Sequence, residues 1–321
     1  MEVLTGNVFN PDTDIPNLAG KTYLVTGGSA GIGYGICAHL VQHGARILLL
    51  SNKEDHADDA VTELAEWGDK NLIEWIKCDL ANLKETDEVA NRILEKEKNG
   101  LHGLIMNAGL GVGKYWETAD QLDSHFQVNW LSQLHLSLKL LPLLKMYPGG
   151  RLVFQSSDLH RAADAGCQFK DVQEINTDIG PTKLYNRSKL AQILGMLAIQ
   201  RRMQNGGDST VDAKPSDKVY VNATHPGAVN TPQPEQAVEA YGTLGKIGAT
   251  LARPFMSDPV KTGCRPALYA ATSPEIEDKG ITGQYIVPDK KVTSPSSKAL
   301  DEALQEQLWS LSHDLIKQKL G

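Results

Sequence analysis

The sequence predicts an α/β fold, a doubly wound parallel sheet of about seven strands with helices on both faces. Three observations lead to this prediction. Short apolar stretches alternate with helical patterns along most of the 321 residues. A glycine-rich turn separates the first apolar stretch from the first helix. No linker interrupts the alternation before about residue 200, so we expect a single domain over residues 1–321.

The individual elements follow in order along the chain. The predicted strands are short apolar stretches at residues 21–26, 45–50, 72–78, 103–106, 151–155, 219–224 and 284–287. The predicted helices have apolar residues at helical spacing and occupy residues 36–41, 55–67, 83–98, 116–144, 184–204 and 266–271. An amphipathic helix at about 299–320 ends the chain. Residues 1–17 are predicted to be irregular, and residues 158–183 form a long polar insertion.

The glycine-rich turn reads Thr-Gly-Gly-Ser-Ala-Gly-Ile-Gly over residues 26–33. It follows a strand and opens a helix, which is the context that dinucleotide binding requires. Gly27, Gly31 and Gly33 allow a tight turn and the close approach of a pyrophosphate. The helix N-terminus near Gly31 offers N–H groups and a positive dipole end to phosphates. An ordinary glycine-rich turn is the alternative interpretation.

Tyr185 and Lys189 are four residues apart on a predicted helix and therefore share one face. An ammonium beside a phenol favours the phenolate, so we expect Lys189 to lower the pKa of Tyr185. A tyrosine tuned in this way can exchange a proton near neutral pH. Taken alone, the pair also fits a solvated tyrosine and lysine on a surface helix.

Together with further motifs, these segments resemble the short-chain dehydrogenase/reductase family, whose fold is of the Rossmann type. Residues 26–33 resemble its cofactor turn, and Asn107-Ala108-Gly109 resembles its motif after the fourth strand. Residues 225–231, His-Pro-Gly-Ala-Val-Asn-Thr, resemble its loop beside the nicotinamide. The likeness covers about residues 18–290, and the length of the insertion resembles the retinol-dehydrogenase-like branch. The four catalytic residues of the family match Asn129, Ser157, Tyr185 and Lys189.

The resemblance also implies which residues hold the cofactor. They come from segments that each follow or adjoin a predicted strand, so we expect them at one edge of the sheet. They are Gly27, Ser29, Ala30, Gly31, Ile32 and Gly33; Ser51, Asn52 and Lys53; Asp79 and Leu80; Asn107, Ala108 and Gly109; Tyr185 and Lys189; and Pro226, Gly227, Val229 and Thr231.

The resemblance implies a role for each catalytic residue. Ser157 holds the carbonyl oxygen of the substrate, with Ser156 as the alternative, and Tyr185 supplies the proton. Lys189 tunes Tyr185 and binds the nicotinamide ribose, while Asn129 carries a proton path to solvent through a water. Four other residues are assigned elsewhere: His160 flanks the substrate mouth, His225 packs in its loop, and Trp116 and Trp130 are core or interface aromatics.

The end of the second predicted strand favours NADP(H) over NAD(H) as cofactor. A carboxylate there would bind the adenosine ribose hydroxyls and repel a 2′-phosphate. This chain has Ser51, Asn52 and Lys53 instead, and its first acidic residue is Glu54. Lys53 as a solvated loop charge is the alternative interpretation.

The predicted activity is that of an NADPH-dependent ketoreductase or secondary-alcohol dehydrogenase. A lipophilic carbonyl or alcohol substrate is expected from the branch and from the apolar residues of a covering segment at about 231–262. Two alternatives belong to other classes: a protein whose partner binding senses the nucleotide, and a non-redox enzyme on the same fold. The full set of proton-transfer residues argues against a sensor.

The bulk composition limits the partners. The net charge of −7 and the absence of a basic block argue against nucleic acid. Four cysteines are far apart and lack metal-ligand spacing, so we expect reduced thiols and no metal. No secretory signal or membrane span is visible, which predicts a cytoplasmic protein. The long helices predict either a monomer or a homodimer.

Overall fold

The structure, a computed structural model, describes residues 8–206, 208–212, 214, 217–229, 258–288 and 290–321. Within these residues eight strands form one sheet, in the spatial order β3-β2-β1-β4-β5-β6-β7-β8. The strands are β1 (Thr22–Thr26), β2 (Arg46–Ser51), β3 (Ile73–Lys77), β4 (Gly103–Met106), β5 (Gly150–Gln155), β6 (Val219–Thr224), β7 (Tyr285–Val287) and β8 (Lys291–Thr293).

The sheet confirms the predicted doubly wound architecture and adds one strand to it. Strands β1 to β7 pair in parallel, whereas β8 pairs antiparallel with β7. Strand β8 has only three residues and is mostly exposed. It therefore lacks the alternation of apolar and polar residues from which a strand is predicted. The order of the strands reverses between β1 and β4, and a crevice for ligands is expected at such a point.

Helices connect the strands and cover both faces of the sheet. They are α1 (Pro11–Asp14), α2 (Gly31–Gln42), α3 (Glu54–Leu64), α4 (Leu83–Lys96), α5 (Ser124–Phe126), α6 (Ser132–Lys145), α7 (Val172–Ile175), α8 (Pro181–Asn205), α9 (Arg265–Thr272), α10 (Glu275–Asp278) and α11 (Glu302–Leu320). Shorter 3₁₀ turns occur at Lys70–Leu72, Asp158–Ala162 and Ser297–Leu300, and π-helical turns at Gln127–Leu131 and Pro259–Gly263.

Alternating side chains of the central strands enter two separate apolar layers. In β1, Leu24 belongs to the layer under α4, α6, α8 and α11, whereas Tyr23 and Val25 belong to the layer under α2 and α9. Strand β2 repeats the pattern, with Leu48 and Leu49 on opposite faces. Because side chains alternate across a strand, apolar residues at every position bury both faces of the sheet.

The structure corrects two of the predicted elements. The helical segment predicted over residues 116–144 begins at Ser124, where the Asp123 carboxylate accepts a hydrogen bond from Phe126 N at 3.0 Å and caps the first turn. The predicted irregular lead contains α1, and Phe9 and Ile15 on either side of it are buried in the core. A short helix with few apolar residues has too weak a period to be recognised.

The insertion at residues 158–183 is attached to the body of the protein by Arg187, a buried residue of α8. Its guanidinium donates to Glu174 O at 2.7 Å and to Ile175 O at 2.6 Å, and it lies 3.3 Å from the Asp123 carboxylate. Arg187 lies between Tyr185 and Lys189, so the helix that carries this pair also fixes the insertion beside it.

The C-terminal helix α11 packs along α8 and reaches the start of α6. Arg201 on α8 donates to Gln305 Oε1 at 2.6 Å, and Arg202 lies over the Trp309 ring at 4.1 Å. Trp130 Nε1 donates to Ser312 Oγ at 2.9 Å. One face of α8 is therefore covered by the chain itself.

Candidate active site

A cavity of about 440 Å³ opens at the carboxyl ends of β1, β2, β4 and β5. Sixteen of the predicted site residues line it: Gly27, Ser29, Ala30, Gly31, Ile32, Ser51, Asn52, Lys53, Asp79, Leu80, Asn107, Ala108, Gly109, Tyr185, Lys189 and Pro226. Motifs that are up to 199 residues apart in sequence, from Gly27 to Pro226, therefore meet at one site.

Five other predicted residues are not part of the lining. Gly33, Asn129 and Ser157 are buried, and Gly227 and Val229 follow β6, where Val229 is close to Gly263. Thr231 lies outside the described residues, as does most of the predicted covering segment at 231–262.

The glycine turn leads into an uncapped helix. Gly27 and Gly31 have positive φ values of 66° and 53°, which a residue with a Cβ adopts only with strain. A Cβ on Gly33 would lie 2.1 Å from Gly27 O, so a side chain at this position would collide with the turn itself. Glycine is therefore required here by packing within the turn, not by contact with a ligand. The N-cap residue Ala30 makes no side-chain cap, so the first N–H groups of α2 face the cavity without a side-chain acceptor at the cap.

Thr26 and Asn107 hold the turn in place. The Thr26 hydroxyl accepts hydrogen bonds from Asn107 N and Ala108 N, both at 3.0 Å. Asn107 Nδ2 donates to Thr26 O at 3.0 Å. The Asn107 side chain therefore links the ends of β1 and β4 and orients the turn.

The outer end of the cavity, at the end of β2, is polar and carries positive charge. The Ser51 hydroxyl accepts a hydrogen bond from Trp75 Nε1 at 2.9 Å, which fixes its position. Asn52 and Lys53 are exposed at the rim, and His56 of α3 lines the cavity beside them. His56 was not recognised from the sequence. Its spacing of three residues from Lys53, at the start of a helix, is the signal that could have identified it.

At the inner end of the cavity the two candidate serines are in different environments. The Ser156 hydroxyl donates to Lys189 O at 2.8 Å and is occupied by helix packing. The Ser157 hydroxyl forms a hydrogen bond with the Tyr185 phenol and also accepts from Leu159 N at 3.2 Å. Ser157 and Tyr185 therefore present two adjacent hydroxyl groups.

Lys189 is almost fully buried and is held by two acceptors. Its ammonium donates to Gln155 O at 2.8 Å and to Gln192 Oε1 at 3.0 Å, and it lies 5.5 Å from the centre of the Tyr185 ring. Gln192 Nε2 in turn donates to Asn129 O at 2.8 Å. Gln192 is a second residue that the sequence did not reveal, because its role depends on contacts with distant segments.

Burial determines the protonation of both groups. It raises the pKa of Tyr185 to about 12, while the hydrogen bond with Ser157 acts in the opposite direction. It also lowers the pKa of Lys189 to about 7. The net shift of the Tyr185 pKa is therefore upward, opposite to the direction expected from Lys189 taken alone. Loss of water disfavours the charged form of each group.

Asn129 is hydrogen-bonded through both its backbone carbonyl and its side chain. Its carbonyl oxygen has two lone pairs and accepts from Gln192 Nε2 at 2.8 Å and from Gln133 Nε2 at 3.1 Å. Its side chain bonds Leu110 N at 2.7 Å, Leu110 O at 3.1 Å and Ser188 Oγ at 2.8 Å. Asn129 sits in the π-helical turn at Gln127–Leu131 and joins this turn to α8 and to the loop after β4.

Two further expectations change with the structure, those for His160 and Trp116, whereas those for Trp130 and His225 agree with it. His160 is buried, with Nδ1 2.7 Å from Ser157 O and Nε2 2.9 Å from Ser296 N, so it supports the turn behind Ser157 and does not flank the mouth. Trp116 is 45% exposed and lines the cavity, so it is not a core residue, whereas Trp130 is buried in the core. His225 packs in its loop and accepts from Asp158 N at 3.3 Å.

Comparisons with known proteins identify the family. The short chain dehydrogenase family matches residues 21–167. A Neurospora crassa protein named as a mitochondrial oxidoreductase, bli-4, is 35% identical over 316 residues, covering 95% of this chain and 74% of that protein. Human retinol dehydrogenase 14 is 30% identical over 92% of this chain and 86% of its own length. Human polyprenol dehydrogenase is 30% identical over 96% of this chain and 87% of its own length.

Solved structures share the fold. A crystal structure of an uncharacterised protein from Mycobacterium paratuberculosis has a TM-score of 0.72 at 24% identity, over 97% of this chain and 98% of that one. A Shigella flexneri structure described as a short chain dehydrogenase complexed with NADP has a TM-score of 0.59 at 24% identity, over 84% and 98%.

The chain belongs to the short-chain dehydrogenase/reductase family of oxidoreductases. Within this family it is similar to retinol-dehydrogenase-like members. In the described part of the chain, no helix is both long enough and apolar enough to cross a membrane. The same residues contain no group of three or more His, Cys, Asp or Glu side chains arranged to hold a metal ion.

Proposed function

We propose that this protein is an NADPH-dependent oxidoreductase that reduces lipophilic ketones or oxidises the corresponding secondary alcohols. The observation that carries the proposal is the arrangement at the inner end of the cavity. There the Tyr185 phenol, hydrogen-bonded to Ser157, and the Lys189 ammonium adjoin a cleft whose other walls are the glycine turn and the loop after β4.

The cavity has the features that a nicotinamide dinucleotide requires. The uncapped N-terminus of α2 would hold the pyrophosphate, and Asp79 and Leu80 would face the adenine. Asn107, Ala108 and Gly109 would contact the ribose on the inner side, with Lys189 and Pro226 next to the nicotinamide. When bound, the reduced nicotinamide supplies the hydride for the carbonyl carbon.

The residues of the chain act on the carbonyl oxygen. Negative charge develops there as the hydride arrives, and two hydroxyl groups, those of Ser157 and Tyr185, can hold it. A phenol with a pKa of about 12 is protonated at neutral pH, so Tyr185 is suited to donate a proton. Lys189 places its positive charge 5.5 Å from the Tyr185 ring centre, where it stabilises the phenolate that is left. This protonation favours the reductive direction.

The outer end of the cavity supports NADPH over NADH. None of the three residues after the β2 core, Ser51, Asn52 and Lys53, carries a carboxylate. Lys53 and His56 line the cavity, whereas the carboxylates of Glu54 and Asp55 belong to exposed residues outside its lining. A 2′-phosphate would therefore meet donors and positive charge rather than like charge.

The lining near the catalytic residues supports an apolar substrate. Trp116, Leu110 and Val128 face the same cavity as Tyr185. Trp116 exposes 45% of its surface, and an indole of this kind offers a large apolar face to a ligand. A lipophilic carbonyl compound would cover this surface when it reaches Tyr185.

The test is turnover by the full chain with NADPH and a panel of aromatic and steroidal ketones, followed by the absorbance of the reduced nicotinamide. Tyr185→Phe removes only the proton donor, so kcat is expected to fall by about 10²–10⁴-fold while NADPH binding is retained. Tyr220→Phe, at the opposite end of β6, is the matched control and should keep the activity of the wild type.

Different outcomes contradict different parts of the proposal. Full activity of Tyr185→Phe would remove Tyr185 from the mechanism. Tight NADPH binding without oxidation of NADPH by any ketone, and without reduction of NADP⁺ by any alcohol, would favour a nucleotide sensor. Turnover of a substrate without a change in the nicotinamide would favour a non-redox enzyme.

For the assembly, we propose that the face of α8 covered by α11 is not available to a second copy. The Arg201–Gln305 hydrogen bond, the Arg202–Trp309 contact and the Trp130–Ser312 hydrogen bond all lie on this face. Light scattering is therefore expected to give the mass of one 35.0 kDa chain, and a dimer would show that another surface associates.

A further inference from the structure

We propose that Gln192 is a positioning residue for Lys189: its carboxamide bridges the Lys189 ammonium and the Asn129 carbonyl and thereby aims and stabilises the ammonium. This inference rests on the proposed oxidoreductase function and names a residue outside the predicted four. Gln192 lies one helical turn after Lys189 on α8 and is completely buried.

The chemistry of the two neighbours fixes the orientation of the carboxamide. An ammonium has only donors, so the group 3.0 Å from Lys189 Nζ must be the carbonyl oxygen of Gln192. A backbone carbonyl has only acceptors, so the group 2.8 Å from Asn129 O must be the NH₂ of Gln192. The reverse orientation would place donor against donor and acceptor against acceptor. The direction of the dipole is therefore determined.

This dipole has a consequence for Lys189. The negative end of the Gln192 carboxamide faces the ammonium, as does Gln155 O at 2.8 Å. Together they partly replace the water that burial removes, and hydrogen bonds of this kind favour the charged form. They also hold two of the three N–H groups, which directs the remaining one.

Within the part of the chain that the structure describes, no carboxylate performs this task for Lys189. Burial is the cause of its lowered pKa, and among the described residues no charged group contributes to it. The titratable groups facing it are Tyr185 on its own helix and His225 after β6, with Asp158 beyond His225. The facing residues of β5 and of the π-helical turn, Gln155 and Asn129, are neutral. Gln192 therefore acts on an ammonium that has no counter-ion.

The bridge also ties Lys189 to the π-helical turn. Asn129 O accepts hydrogen bonds from Gln192 Nε2 and from Gln133 Nε2. Gln192 therefore connects the Lys189 ammonium to an element other than its own helix.

Two substitutions separate this role from simple packing. Gln192→Leu fills the space with apolar atoms and excludes water. Gln192→Ala leaves a polar gap between Lys189 Nζ and Asn129 O, which a water with partners on both sides can occupy. A packing role predicts that alanine is the more damaging change, because it creates the larger cavity. The proposed role predicts the reverse for kcat.

In the ketone-reduction assay with saturating NADPH, we expect Gln192→Leu to lower kcat by about 10-fold to 100-fold, as for loss of a hydrogen bond to a charged group. The high-pH limb of its pH profile for kcat should move to lower pH by roughly one unit, because the Lys189 ammonium loses its proton more easily. Gln192→Ala should lie between this variant and the wild type. Gln200 is on the same helix, away from the cavity, and accepts a part-buried hydrogen bond from the Thr282 hydroxyl; Gln200→Leu removes this bond and serves as the control for stability.

The pKa of Lys189 can also be measured without turnover, by competitive labelling with acetic anhydride over a pH series and mass spectrometry. We expect a lower pKa in Gln192→Leu than in the wild type. An unchanged pKa, or a kcat that falls further in Gln192→Ala than in Gln192→Leu, overturns the proposal. If the wild type neither binds nor oxidises NADPH, the proposed function fails, while the labelling experiment still decides the role of Gln192.

Discussion

The two ends of the cavity differ in their exposure to water. At the outer end, Asn52, Lys53 and His56 are exposed, and any charge there is screened by water. At the inner end, three strand spacings or roughly 14 Å along the sheet, Tyr185, Lys189 and Gln192 are buried. The outer end can therefore select a nucleotide by the charge of single side chains, whereas the inner end controls protonation by excluding water.

This difference shows why the same residue types behave differently at the two ends. Lys53 is exposed, and its proposed effect on nucleotide binding comes from its charge and its position. Lys189 is held by Gln155 O and Gln192 Oε1, and burial lowers its pKa to about 7. Changes at the inner end should therefore affect catalysis and pH dependence strongly, and changes at the outer end should affect nucleotide choice modestly.

The largest effect is expected from Ser157→Ala compared with Ser156→Ala. Ser157 shares a hydrogen bond with Tyr185, so its loss should lower kcat by about 10²–10³-fold, as for loss of one oxyanion donor. The Ser156 hydroxyl donates to the backbone carbonyl of Lys189. Loss of this hydroxyl should therefore lower thermal stability more than kcat. Steady-state kinetics and thermal unfolding of both variants give the comparison, and the opposite ranking in kcat would exchange the two roles.

The next effect is structural and lies in the glycine turn between the two ends. Gly33→Ala places a Cβ 2.1 Å from Gly27 O, so we expect a loss of about 1–3 kcal/mol of unfolding free energy. NADPH affinity should fall with it, because the turn must shift. Urea denaturation and nucleotide fluorescence measure the two quantities.

Gly166→Ala is the control for the glycine variant, since its nearest neighbour would be Asp164 Oδ1 at 3.3 Å, the end of an exposed side chain. Equal stability losses for the two variants would show that the close contact at Gly33 is relieved at no cost.

A smaller effect is expected at the outer end. Lys53→Glu places a carboxylate where a 2′-phosphate is proposed to bind, so the ratio of kcat/KM for NADPH over NADH should fall by about 10-fold, or ~1.4 kcal/mol. The effect should decrease at high salt, because the site is exposed. Lys70 precedes the amino end of β3, whereas the cavity lies at the carboxyl ends of the strands. Lys70→Glu makes the same charge change there and should leave the ratio unaltered. An unchanged ratio for Lys53→Glu would show that Lys53 is a solvated loop charge that does not contact the nucleotide.

A further expected effect is the dependence of stability on pH. The folded pKa of Lys189 is about 7, below its unfolded value, so the unfolded chain binds more protons between about pH 7 and pH 10. The contribution of Lys189 to stability therefore rises with pH in this window. Without nucleotide, Lys189→Met should be more stable than the wild type at pH 7, and the difference should shrink towards pH 10. Urea midpoints across this range measure it, and a constant difference would mean that Lys189 keeps its ordinary pKa.

The sequence could predict the fold because its signals are local. The apolar stretch before Gly27 and the helical pattern after Gly31 are read within about fifteen residues. The order of the strands in a doubly wound sheet then places Gly27, Asn107, Ser157 and Tyr185 near one edge. Strand β8 and helix α1 were missed because they are too short to show a period.

What the sequence determined by itself is the succession of strand, turn and helix and the presence of the residues proposed to transfer the proton. What only the tertiary structure decided is how these residues are surrounded: Ser157 rather than Ser156 beside Tyr185, Gly27 O against Gly33, and Gln192 against Lys189. The reason is physical. Backbone conformation depends on neighbours along the chain, whereas loss of water around a phenol or an ammonium depends on segments that are distant in sequence and meet only when the sheet is complete.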